Sequence, residues 1–144
     1  MPGWKRVALA VVCAALGTSC LCNPGTMVAG PERAKVAVAS FHASVNAERY
    51  GELWDAASDD LHEASSKERF VALLAAVRRK LGPVTGTTNA GWRVTSRNLR
   101  TYVDLTQQTR FEKGQATEQF RFAISGDEVR LVAYHVSSED LILR

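Results

Sequence analysis

The residue with the clearest chemistry in this chain is a thiol. Cys20 follows Gly17-Thr18-Ser19, a run of small residues, and a cysteine in that setting can take a lipid on its sulfur once the chain is cut before it. Gly17-Thr18-Ser19-Cys20 resembles a bacterial lipobox, with Gly17 where leucine is usual. Cys20 is therefore the candidate lipid-attachment residue. A second cut is written nearby: Ala15-Leu16-Gly17 satisfies the small-x-small rule of ordinary signal peptidase and would release an unanchored chain. Cys13 and Cys22 are the other cysteines, so no disulfide framework holds the remainder together. A bridge between Cys20 and Cys22 would work against ordinary disulfide geometry. Incidental cysteines at the end of a signal peptide are the plain alternative.

The segment ahead of that thiol has the form of an export signal. Lys5 and Arg6 give a positive start, and Val7 to Leu16 is uncharged and apolar, the length of a signal-peptide core. A membrane-spanning helix needs about 20 apolar residues, whereas here Gly17-Thr18-Ser19 and then Asn23-Pro24-Gly25 break the run. The sequence predicts a signal peptide over 1–19, a tether over 20–32 and a single domain over 33–144. Export places that domain in the periplasm, at the cell envelope or outside the cell.

Other chemistries find little support in the residue spacing. His42, His62 and His135 are widely separated, and none has ligand spacing with a Cys, Asp or Glu on one helix face. We expect no metal and no cofactor; no phosphate loop, nucleophile elbow or dinucleotide fingerprint is present. The full chain carries +3, and removing Lys5 and Arg6 brings it close to neutral. A dedicated nucleic-acid binder needs a basic face, and the basic triplet Arg78-Arg79-Lys80 is better explained as the last turn of a helix, where cations meet the negative end of the dipole. Nucleic acid is not an expected partner.

The elements that would position functional side chains fall into two halves. Ala34, Val38, Phe41 and Val45 share one face of an amphipathic helix over about 33–49. Leu53, Trp54 and Ala57 suggest a shorter helix over 50–58, and Asp59-Asp60 a loop. Ser65-Ser66-Lys67-Glu68 reads as a capping box opening a helix with Phe70, Leu73, Leu74, Val77 and Leu81 on its apolar face, stopped by Gly82-Pro83. Beyond Pro83 the period becomes two. Leu99, Thr101, Val103 and Leu105 alternate with polar residues, as do Phe120, Phe122 and Ile124. Turns at Lys113-Gly114 and Gly126-Asp127 divide strands over 98–112, 115–125 and 128–138, with an earlier strand over about 85–96 carrying Trp92 and Val94. Helices followed by antiparallel strands predict an α+β fold, with helices covering one face of a four-stranded sheet.

This arrangement resembles the cone-like fold of nuclear transport factor two and the ketosteroid isomerases, also grouped as cystatin-like. More narrowly, Ala-Ser-Val-Asn-Ala-Glu-Arg-Tyr-Gly-Glu-Leu-Trp-Asp over 43–55, then Phe70, Leu81-Gly82 and Tyr134, are similar to a family of small secreted bacterial proteins of uncharacterised function. The resemblance covers about 35–138. It implies a pocket between helices and sheet, with Phe41, Trp54, Phe70 and Phe122 as candidate lining residues, although core filling is the default for any of them. An enzyme of that fold would pair a carboxylate or imidazole base with a phenol; the residues to consider are Tyr50, Asp55, Tyr102, Asp104 and His135. Asp104 and Tyr102 fall on the strand face opposite Val103 and Leu105, which is expected to be solvated. Tyr50 and Asp55 read as a packing residue and a surface acid.

Fold does not decide function, and three classes stay open. The leading expectation is a non-catalytic extracytoplasmic module, anchored through Cys20, that binds a protein or envelope component. A carrier of a small hydrophobic molecule is the alternative, and an isomerase-like or hydrolase-like enzyme the third. The uncovered face of the sheet could also support a homodimer.

Overall fold

The computed structural model describes residues 24–143; the signal-peptide stretch, Cys13, Cys20 and Cys22 lie outside them. Helices come first and the sheet second, as the change of period at Pro83 predicts. The first helix, α1, runs Pro24–Asn46. Its residues Ala34, Val38, Phe41 and Val45 are all buried, so one stripe faces the core. Residues 24–32, expected to be tether, are helical. Pro31 sits inside the helix and costs it one backbone hydrogen bond. Packing offsets that loss, because Gly30 and Pro31 are buried and a Cβ at Gly30 would lie 3.4 Å from Val103 Cγ2.

The next helix, α2, spans Tyr50–Asp55, and a helix α3 over Asp59–Ala64 replaces the expected loop. The acidic pair that suggested a loop is a helix start: the Ser58 side chain accepts from Leu61 N–H at 3.4 Å, and Asp59 and Asp60 occupy the first turn, where the dipole favours negative charge. Helix α4 covers Lys67–Leu81. Its N-cap is Ser66 rather than Ser65, the Ser66 hydroxyl accepting from Arg69 N–H at 3.3 Å. Phe70, Leu74, Val77 and Leu81 are buried, while Leu73, expected among them, is exposed on the flank of the stripe. The helix ends at Gly82, whose φ of 78° suits glycine.

Four antiparallel strands follow in the spatial order β1-β2-β3-β4: β1 Val84–Arg97, β2 Arg100–Phe111, β3 Gly114–Ser125 and β4 Glu128–Ser137. The first turn corrects the expected alternation. Asn98 and Leu99 both have positive φ and form the two-residue hairpin tip, so Leu99 is fully exposed instead of facing inward. On β2 and β3 the inward set Val103, Leu105, Phe111, Ala116, Phe120, Phe122 and Ile124 is buried, as period two requires. A short helix α5, Glu139–Leu143, which the sequence pattern did not suggest, closes the sheet end; Lys80 Nζ donates to Leu141 O at 2.7 Å.

Helices and the inner sheet face enclose one large core and a smaller one formed by Val77, Leu81, Phe111 and Ala116. The outer sheet face is polar, the usual division for an antiparallel sheet covered on one side.

Candidate functional site

Four polar side chains meet in the middle of that core. Glu118 faces inward on β3 between Ala116 and Phe120, and is 1% exposed. Helix α1 brings in His42, one residue beyond Phe41 and also buried. Thr109 comes from β2 and Tyr134 from β4. The Glu118 carboxylate collects them all: His42 Nε2 lies 2.7 Å from Oε2, the Thr109 hydroxyl donates to the same oxygen, and the Tyr134 hydroxyl donates to Oε1 at 2.6 Å. The rings of Phe41 and Phe120 flank Tyr134, with centroids 5.0 and 5.2 Å away.

The electrostatics follow from this geometry. Burial pushes the Glu118 carboxyl up, but the hydrogen bond and charge of His42, with bonds from Thr109 and Tyr134, outweigh it and hold the carboxyl below its usual value. Burial, then the Glu118 charge and hydrogen bond, push the Tyr134 phenol well above its ordinary range. The site is thus an ionised carboxylate ringed by three donors. A carboxylate so occupied is poorly placed to take a proton from a substrate, and its partners hold α1, β2, β3 and β4 together.

None of the five residues considered as catalytic joins this group. Tyr50 is buried where α2 meets the core, and burial, with the nearby Glu48 charge, raises its hydroxyl. Asp55 is exposed and paired with Lys67 at 2.6 Å. Tyr102, Asp104 and His135 lie on the outer face, as the alternation predicts for the first two; Asp104 receives two bonds from Arg121, at 2.6 and 3.1 Å. Phe41, Phe70 and Phe122 are buried in the main core, and Trp54 packs against it. Trp54 lies 5.7 Å from Phe70, ring to ring.

Sequence reasoning missed Glu118, Thr109 and the role of His42. A signal was present for Glu118 and for His42. Glu118 sits two residues before Phe120 and therefore on its face, a carboxylate in an apolar row. His42 is four residues after Val38 and three before Val45, on the buried stripe of α1.

Against this geometry, the sequence model of the family described as "Protein of unknown function (DUF4019)" matches residues 37–134. The chain belongs to the DUF4019 family. The DUF4019 match starts within α1 and ends at Tyr134, so it contains His42, Thr109, Glu118 and Tyr134. No curated protein and no solved structure matches the chain. Among the described residues of this DUF4019 chain, no helix is long and apolar enough to cross a membrane.

Proposed function

We propose that this chain is a non-catalytic binding module, exported to the cell envelope and held there by a lipid on Cys20, with a cone-like architecture of the nuclear transport factor two type. The observation that carries the binding reading is the outer sheet face. By register, Arg93, Arg97, Arg100, Arg110, Arg121 and Arg130 share it, and all are exposed. Asp104 pairs with Arg121, Glu128 with Arg130, and Asp60 with Arg100. Arg93, Arg97 and Arg110 have no ion-pair partner among the described residues. Exposed guanidinium groups on a polar sheet attract carboxylate or phosphate, so the partner is an acidic envelope component. The non-catalytic reading is supported by Glu118, whose oxygens are occupied and withdrawn from solvent.

The test is native mass spectrometry of the mature protein from its own host, before and after denaturation. The expected mass begins at Cys20 with an acyl modification and carries no hydrophobic ligand. A chain retaining residues 1–19 would overturn the anchor. A hydrophobic molecule released on denaturation would replace the module reading with the carrier.

A further inference from the structure

We propose that the groove between α1 and β1 binds a small neutral ligand presenting an amide, with the Gln107 carboxamide as its anchor. Gln107 faces inward on β2, in register with Asn89 on β1 and Glu118 on β3. It is 4% exposed. Its buried neighbours are satisfied, since Thr109, His42 and Glu118 bond one another. The Gln107 carboxamide has no hydrogen-bond partner among the described residues, and its polar end is the part of the side chain that opens onto a groove. Its side chain lines this groove of about 270 Å³ with Lys35, Val38, Ala39, Thr87 and Asn89.

The lining defines the ligand class. A carboxamide both donates and accepts, and the Thr87 hydroxyl beside it is likewise without a partner among the described residues. Asn89 Oδ1 already accepts from Gly91 N–H at 3.0 Å, leaving its NH₂ group to donate. Val38 and Ala39 supply an apolar wall suited to a methyl group. The one charge, Lys35, is tied to Glu32 at 2.7 Å, so the groove favours a neutral ligand. Its volume falls just below the range of about 300–1,000 Å³ typical of drug-sized pockets. It suits one sugar ring or one peptide unit, and the amide could belong to the acetamido group of an amino sugar or to a peptide bond.

The test is NMR titration of the mature chain with two probes, N-acetylglucosamine and N-acetyl-L-alanine methylamide. We expect one of them to shift the Gln107 side-chain amide and the Thr87 backbone amide saturably, and which one does so identifies the source of the amide. Gln107→Leu should abolish the Thr87 shift and leave the melting temperature no lower, because no protein hydrogen bond is lost. Ala39→Leu, which fills the groove from the exposed side of α1, should abolish it as well. Silence from both probes, or a Thr87 shift that persists in both variants, would overturn the site and leave the groove to solvent.

Discussion

His42 and Glu118 lie 76 residues apart in the chain and 2.7 Å apart in the fold, joining the C-terminal part of α1 to β3 inside an apolar core. An isolated carboxylate there would be costly. With imidazole, hydroxyl and phenol donors around it, the carboxylate becomes a cross-brace between helix and sheet.

Removing Glu118 leaves its three partners without the bonds they make to it, whereas removing one donor takes away a single bond to the carboxylate. Glu118→Ala should lose about 1–3 kcal/mol of unfolding free energy for each donor it leaves buried and unsatisfied. Tyr134→Phe, which deletes one donor to a charged acceptor, should lose about 1–3 kcal/mol. Urea unfolding of both variants checks this; two losses near zero would mean the brace does not form.

The same carboxylate sets a pH dependence. Its folded value is depressed, so its contribution is complete above the unfolded glutamate value of about 4.3 and is lost as pH falls through the lower folded value. Wild type should therefore lose stability in acid more steeply than Glu118→Gln. Unfolding midpoints across an acid pH series measure the difference, and parallel curves would contradict it.

At the alkaline end the sign reverses. The Tyr134 phenol is raised, so the neutral form is favoured in the folded state and stability falls as pH rises past the unfolded tyrosine value of about 10. A spectrophotometric titration should show Tyr134 ionising only with unfolding, and Tyr134→Phe should remove that step.

Phe70 carries the packing of α4 into the main core and is 4% exposed. Phe70→Ala should cost about 3–5 kcal/mol. A thermal melt superimposable on wild type would place the side chain elsewhere.

The ion pair between Asp104 and Arg121 sits on the outer face, with side chains 30% and 50% exposed. Despite its good geometry, Asp104→Asn should change stability by less than about 1 kcal/mol. Its effect should appear instead in binding: Arg121 is freed, and affinity for an acidic partner should rise in a salt-dependent way. A large stability loss would show that the face is structural rather than available.

The order of helices and strands, the buried stripe of α1, the stop at Gly82-Pro83 and the inward rows of β2 and β3 are all legible in the sequence by itself. Each depends on neighbours two, three or four residues away, and spacing over that range is fixed by the helical and strand periods. Local signals also erred where two structures share one composition. Asp59-Asp60 suits a loop or a helix start, and only the burial of Leu61 chose the helix; Leu99 continued a strand pattern until the pairing of Arg97 with Arg100 made it a turn. The meeting of His42, Thr109, Glu118 and Tyr134, and the solitary Gln107 beside them, were decided by tertiary structure. Strand register and the seating of α1 on the sheet determine which inward polar groups come within hydrogen-bond reach, and those distances connect residues whose separation along the chain says nothing about them.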